Sequence, residues 1–267
     1  MPSLFSAKED GRKNSSAVQP TMENSRFPFI LYFHGNAGNV GHRIDIANML
    51  VTELECAVMM VDYRGYGGSS SMEPTQTGLE RDAQACLDYI WDDPRVPHDR
   101  IYVMGTSLGG AVSIYLSSQK ENWPKIRGTI VENTFTSISA MTSALGTPLI
   151  HKTFTRCGCV VNCCFKFYIK PLVLQLSWNS IGRVSNIAGP ILFISAKNDE
   201  LIPQSQMMEL FERAFKHNKQ GAVRSFAEFT EGSHNDVCQA TGYCEKIKAF
   251  MEEVENGGDA GEASGVV

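Results

Sequence analysis

Residues 101–110 read IYVMGTSLGG, an apolar run that leads directly into the pattern Gly105-x-Ser107-x-Gly109. A serine between two such glycines, after a strand and before a helix, is typical of a nucleophile elbow. The serine occupies a sharp, strained turn, and the positions two before and two after it are crowded, so only small residues fit there. The stretch therefore predicts a nucleophile at Ser107, held above the edge of a sheet at the start of a helix.

Short, nearly continuous apolar runs recur along the chain and alternate with longer amphipathic stretches. Such runs are buried on both faces, as the strands of a parallel sheet are. Their alternation with helix-like stretches indicates a wound α/β fold with right-handed crossovers. The predicted strands are 27–34, 56–62, 101–105, 128–132, 191–195 and 225–229, and the predicted helices are 77–91, 107–118, 203–215 and about 236–254.

A serine nucleophile needs a general base, and the base needs an acid that orients it. In chains with this elbow the order is serine, then Asp or Glu, then His. Asp199 follows the fifth predicted strand and His234 lies in a polar turn after the sixth, so both are expected at carboxyl ends of strands, where open α/β sheets gather their active sites. Glu200 is the rival acid, and Asp236 is interpreted as a cap of the last helix.

The negative charge that develops on a carbonyl oxygen during acyl transfer needs two N–H donors, which form an oxyanion hole. One comes from the residue after the nucleophile, Leu108, and the other from a loop after an earlier strand. Residues 34–39 read HGNAGN and fit that loop, with Asn36 as the predicted donor and Ala37 as the alternative. His34 is interpreted as bracing this loop by hydrogen bonds rather than as a catalytic group.

Composition excludes several partners. A formal net charge of −5 argues against a nucleic-acid partner, because phosphate binding requires clustered Lys and Arg.

The chain contains no uncharged apolar run long enough to span a bilayer, and its first residues lack the apolar stretch of a signal peptide. We expect a cytoplasmic or peripheral membrane location. No metal and no organic cofactor are implied, and the oligomeric state is not predicted.

The predicted organisation is a disordered leader, one catalytic domain and a disordered tail. The leader covers residues 1–25, the domain 26–255 and the tail 256–267. Within the domain, residues 136–186 separate two strands by far more chain than a simple crossover needs, which predicts a cap inserted over one edge of the sheet.

The predicted cap carries an unusual cysteine cluster and an apolar stretch. With no secretory signal, we expect reduced thiols, and acylation or metal binding are the alternatives. The apolar stretch 157–176 is interrupted by Lys166 and Lys170, so it either packs on the sheet or touches a bilayer surface, and in both cases it is expected to wall the acyl pocket. The clustered residues are Cys157, Cys159, Cys163 and Cys164.

Several segments together resemble one known family. They are HGNAGNVGHR (34–43), VDYRGYGGS (61–69), GTSLGGAVSI (105–114), VENTFTSI (131–138), SAKNDELIP (195–203) and GSHND (232–236). In this order they look like abhydrolase domain-containing protein 13 and its fungal relatives, the bud-emergence-46-like proteins, over roughly residues 27–252.

The resemblance implies an α/β-hydrolase fold, the triad Ser107, Asp199 and His234, and a membrane-linked serine hydrolase of poorly defined substrate. Related branches cleave palmitoyl thioesters from proteins, and some classifications place such sequences among serine peptidases. Family members usually carry a membrane anchor and an antiparallel strand pair before the strand that ends in His-Gly. Here 26 mostly polar residues precede that strand, so the anchor and the strand pair can be missing.

The predicted reaction is a two-step acyl transfer on an ester or thioester, carried by a small molecule, a lipid or an acylated protein. Two alternatives stay open. One is a serine peptidase or amidase of the same fold, and the other is a non-catalytic binding module that keeps the fold without the chemistry.

Overall fold

The computed structural model describes residues 27–141, 177–218 and 220–257, which form a parallel six-stranded sheet with helices on both faces. The strands are β1 (Phe29–Phe33), β2 (Ala57–Val61), β3 (Ile101–Thr106), β4 (Gly128–Glu132), β5 (Ile191–Ala196) and β6 (Arg224–Phe229). The helices are α1 (Ile44–Leu54), α2 (Gln76–Trp91), α3 (Leu108–Ser118), α4 (Ser180–Val184), α5 (Gln204–Lys216) and α6 (Tyr243–Glu255).

The strand order determines where the candidate site lies in the sheet. The sheet runs β2-β1-β3-β4-β5-β6, and every pairing is parallel. The chain goes from β1 outward to β2 and then returns to β3 on the other side of β1, so the direction of winding reverses between β1 and β3. A crevice opens outside the carboxyl ends of the strands at such a reversal. The loops after Phe33 and after Thr106 meet there.

Both faces of the sheet are buried, which explains why the strands are almost continuously apolar. On one face Ile30 and Tyr32 pack with residues of α1 and α6. On the other face Leu31 and Phe33 pack with residues of α2 and α3, and α5 covers the β4–β5 part of that face. Successive residues of a strand point to opposite faces, so a strand covered on both sides must be apolar at every position. The predicted parallel α/β architecture is confirmed.

The last helix and its cap differ from the prediction. The segment predicted as one helix from 236 splits into a 3₁₀ turn at Val237–Gln239 and α6, which begins at Tyr243. Gly242 lies between them with a φ of 85°, a left-handed conformation that glycine adopts without strain. Asp236 does not cap α6, because its carboxylate accepts hydrogen bonds from the N–H and hydroxyl of Ser233.

The predicted cap lies mostly outside the described residues, as do the leader, almost all of the tail, the cysteine cluster and both lysines of the apolar stretch. The described ends of the cap region meet each other. Ser137 pairs with Asn179 in an antiparallel bridge, and the side chain of Trp178, the residue before Asn179, is fully buried. Among the described helices, none combines the length and apolar character needed to cross a bilayer.

Candidate active site

Ser107 sits in a strained turn between β3 and α3. Its φ of 56° and ψ of −115° place a residue with a side chain in a region of backbone conformation that favours glycine. Its N–H donates to the carbonyl of Glu132 at 2.8 Å, and its own carbonyl accepts from the hydroxyl of Thr134 at 2.7 Å. The turn is thus held from the neighbouring strand, and the side chain remains partly exposed.

The two glycines around Ser107 are required by close backbone contacts. A Cβ at Gly105 would lie 2.1 Å from the carbonyl oxygen of Gly109. A Cβ at Gly109 would lie 1.9 Å from the carbonyl oxygen of Phe33. Both distances are far inside van der Waals contact, so the first turn of α3 can pack against the ends of β1 and β3 only because these side chains are absent.

Asp199 and His234 form a buried pair. Oδ2 of Asp199 lies 2.7 Å from Nδ1 of His234, and both side chains are shielded from solvent. Oδ1 of Asp199 accepts from the N–H groups of Leu201 and Ile202, so the loop fixes the carboxylate before it meets the ring. A carboxylate only accepts, which assigns the ring proton to Nδ1 and leaves Nε2 as an acceptor.

The rival acid makes a different contact. Oε2 of Glu200 accepts from the backbone N–H of His234 at 3.2 Å, and it is Asp199 that reaches the ring. Of the two candidates, the structure therefore gives Asp199 the position that orients the imidazole.

The end of β4 joins the serine turn to the histidine loop. Asn133 has a φ of 43°, and its side-chain amide donates to the carbonyls of Ser233 and His234. Its side-chain oxygen accepts from the N–H of Ala196, the last residue of β5. Sequence reasoning did not single out this residue, although a polar run directly after a buried strand is a signal that could have drawn attention to it.

The predicted oxyanion loop lies against the nucleophile. A Cβ at Gly35 would be 3.5 Å from the Cβ of Ser107, so the loop after β1 touches the serine turn. Leu108 is the first residue of α3, where a backbone N–H has no partner within the helix. The side chain of Asn36 is held by Tyr66, whose hydroxyl donates to its Oδ1 at 2.6 Å.

His34 is fully buried beneath this loop. Its Nδ1 lies 2.6 Å from the carbonyl of Gly35, and its Nε2 makes a less directed polar contact with Asp62 at 3.3 Å. Burial lowers the pKa of His34, so the ring is neutral at physiological pH. The hydroxyl of Tyr63 donates to the carbonyl of His34. These contacts agree with the interpretation that His34 braces the loop.

On the predicted acyl-transfer reaction, replacing Tyr66 with phenylalanine is expected to lower kcat/KM for a nitrophenyl ester by about tenfold. The change frees Asn36 but removes no direct donor to the reacting oxygen, so the effect should stay below the ~10²–10³-fold loss typical of deleting such a donor. Tyr89→Phe is the matched control, because Tyr89 is exposed on α2. Equal rates for the two variants would contradict this role of Tyr66.

Within the described parts of the chain, no three His, Cys, Asp or Glu side chains are grouped so that they could hold a metal ion. The cysteines there are free thiols, namely Cys56, Cys86, Cys238 and Cys244.

Comparison with known proteins identifies relatives of this arrangement. Residues 26–159 match the sequence family described as serine aminopeptidase, S33. The chain is 35% identical over 226 residues to protein bem46 of Schizosaccharomyces pombe, covering 85% of this chain and 68% of that protein. It is 37% identical over 230 residues to the alpha/beta hydrolase domain-containing protein WAV2 of Arabidopsis thaliana, covering 85% and 71%.

Among solved structures, the esterase Pf2001 of Pyrococcus furiosus superimposes with a TM-score of 0.68 at 19% identity, covering 85% of this chain and 81% of the esterase. At that identity the similarity concerns the fold. It agrees with the wound α/β architecture predicted from the strand pattern and with the α/β-hydrolase fold that the resemblance implies.

Proposed function

Because this chain belongs to the Bem46-like family of α/β-hydrolase domain proteins, we propose that it cleaves an ester or thioester through an acyl-enzyme formed on Ser107. It is a hydrolase of the serine hydrolase superfamily by family and fold. The observation that supports cleavage through an acyl-enzyme is the buried contact between Asp199 and His234. It lies at the same carboxyl-end edge of the sheet as the strained Ser107.

The proposed chemistry is a two-step acyl transfer. Nε2 of His234 takes the hydroxyl proton of Ser107 as Oγ attacks the substrate carbonyl, and the N–H groups of Leu108 and Asn36 bind the oxyanion. When the tetrahedral intermediate collapses, the imidazolium returns that proton to the leaving alcohol or thiol. Water then attacks the acyl-enzyme with His234 again as base, which releases the carboxylic acid and free Ser107.

Asp199 keeps the ring in the productive tautomer throughout. Its Oδ2 holds the proton on Nδ1, so Nε2 is left as the acceptor for the serine proton, and its charge stabilises the imidazolium. We propose a lipid, a small ester or an acylated protein as substrate. Contact with a membrane through the cap belongs to this proposal and lies outside the described residues.

A serine peptidase or amidase is the second candidate, and the match to the family described as serine aminopeptidase favours it. An amide requires stronger protonation of its leaving group than an ester does. A panel of nitrophenyl esters and acyl thioesters, measured beside aminoacyl and peptide amides, separates the two. Hydrolysis of amides at rates comparable with esters would move the peptidase ahead.

A fluorophosphonate probe is expected to label the folded protein at a single serine. Attack by Oγ of Ser107 on phosphorus expels fluoride, and peptide mass spectrometry should place the adduct on the peptide that contains Ser107. Labelling requires only an activated serine, so it tests the site without knowledge of the substrate. Absence of an adduct on folded protein would contradict the proposal and favour a non-catalytic binding module.

A further inference from the structure

A buried carboxyl group that the proposed mechanism does not use lies next to the site. The side chain of Glu132, at the end of β4, is 3% exposed. One of its oxygens accepts from the hydroxyl of Thr106 at 3.0 Å, and the other accepts from the hydroxyl of Tyr243. The Thr106 hydroxyl is in turn 3.0 Å from that of Tyr32. These four residues, called here the Glu132 cluster, link β1, β3, β4 and α6.

The Glu132 cluster is attached to the nucleophile and to the base through the backbone. Thr106 directly precedes Ser107, and the carbonyl of Glu132 accepts the Ser107 N–H. Asn133, the next residue after Glu132, donates to the carbonyl of His234. A movement of this carboxyl group would therefore be transmitted to the serine turn and to the histidine loop.

The hydrogen bonds of the cluster are all satisfied when Glu132 is a carboxylate. Tyr32 then donates to Thr106, Thr106 donates to one oxygen of Glu132, and Tyr243 donates to the other. If the carboxyl group were protonated, the protonated oxygen would act as a donor instead of an acceptor. One hydroxyl group would then have no acceptor within the cluster. An unmade hydrogen bond on a buried group is costly.

Burial acts against the carboxylate and raises the pKa of Glu132, while the hydrogen bonds from Tyr243 and Thr106 and the charge of His234 act to lower it. Other charged and titratable groups also face this region. Those facing Glu132 are Tyr32 on β1, Arg43 before α1, Cys238 after β6 and Tyr243 on α6, and those touching His234 are Asp199 and Glu200.

We propose that Glu132 is a positioning residue of the reaction, whose buried carboxylate holds the serine turn through Thr106 and adds a second negative charge near the imidazole of His234. This inference rests on the proposed roles of Ser107 and His234. The second charge favours the imidazolium that forms when Ser107 loses its proton, because charges in a poorly hydrated interior interact strongly.

Glu132→Gln removes the charge and keeps an acceptor for Thr106, while its amide NH2 group takes the place of the oxygen that accepts from Tyr243. With the negative charge gone, the acid limb of the pH profile of fluorophosphonate labelling should move to lower pH by roughly half to one unit. Glu228→Gln removes the same formal charge from an exposed position beside Lys197 and should leave this acid limb unchanged.

Thermal or chemical unfolding gives a readout independent of chemistry. Because the pKa of Glu132 is higher in the folded than in the unfolded protein, its contribution to stability is present below the unfolded value of about 4.3 and is lost as pH rises through the folded value. The free energy of unfolding of the Glu132→Gln variant, relative to that of the wild type, should therefore increase as pH rises above about 4.

The outcomes separate this inference from the proposed function. Labelling of the wild type with an unchanged acid limb in Glu132→Gln would overturn the inference alone, whereas absence of labelling in the wild type would overturn the proposed function. If Glu132→Gln does not fold, Thr106→Val tests the hydrogen bond instead. This variant should be labelled several-fold more slowly, with the acid limb of its pH profile unchanged, and labelling at the wild-type rate would overturn the positioning role.

Discussion

Asp199→Asn is expected to lower kcat/KM for an ester substrate by about 10⁴-fold while the protein stays folded. The asparagine oxygen would keep the hydrogen bonds from the N–H groups of Leu201 and Ile202, so its amide group must face the ring of His234. Nδ1 then has to accept, the ring proton moves to Nε2, and the base can no longer take the proton of Ser107. The loss should fall on kcat, with a thermal unfolding midpoint close to that of the wild type.

Glu200→Gln is the matched control for this experiment. Glutamine can still accept from the backbone N–H of His234, and Glu200 does not reach the ring, so the loss should be less than about tenfold. Steady-state kinetics with one nitrophenyl ester measures both variants. A larger effect at Glu200 than at Asp199 would reverse the assignment of the acid.

Gly109→Ala should prevent the protein from folding. The added Cβ would stand 1.9 Å from the carbonyl oxygen of Phe33, and this obstacle is backbone at the end of a central strand, which cannot move aside as a flexible side chain can. Relieving the overlap means separating α3 from β1, at an expected cost above about 4 kcal/mol, a large part of the stability of an ordinary domain. Soluble yield and circular dichroism report the result.

Gly68→Ala is the matched control, because no atom lies within 4 Å of a Cβ built there. It should express like the wild type and change the unfolding free energy by about 0.5 kcal/mol or less. A soluble Gly109→Ala protein with a wild-type melting midpoint would show that the elbow is less tightly packed than the geometry indicates.

The sequence was sufficient for the elements whose signals are local. The apolar runs predicted the six described strands with bounds off by no more than two residues, and the Gly-x-Ser-x-Gly pattern predicted the turn at Ser107. The sequence did not predict helix α1. It predicted a last helix that is too long, because the interruption at Gly242 consists of a left-handed backbone conformation. The catalytic roles of Ser107, Asp199 and His234 stay predictions that the labelling and kinetic experiments test.

The contacts around Glu132 and Asn133 could not be read from the sequence. Both are polar residues at the end of a buried apolar run, and polar residues are ordinary where a strand ends. Their importance depends on which strand ends are neighbours, and that order is set by packing between residues far apart in the chain. Glu132 meets Tyr243 across 111 positions, and Asn133 meets His234 across 101.

The place of β6 at the edge of the sheet has a consequence for how the protein is made. The chain emerges from the ribosome with the nucleophile turn well before His234 and Tyr243, which follow β6 and come from the last part of the domain. Domains fold largely as units during synthesis. On the proposed roles of Ser107 and His234, a nascent chain that has exposed Ser107 has no base to activate it. Reactivity toward substrate is then expected only when β6 has docked, so labelling of Ser107 would report a molecule whose last strand is in place.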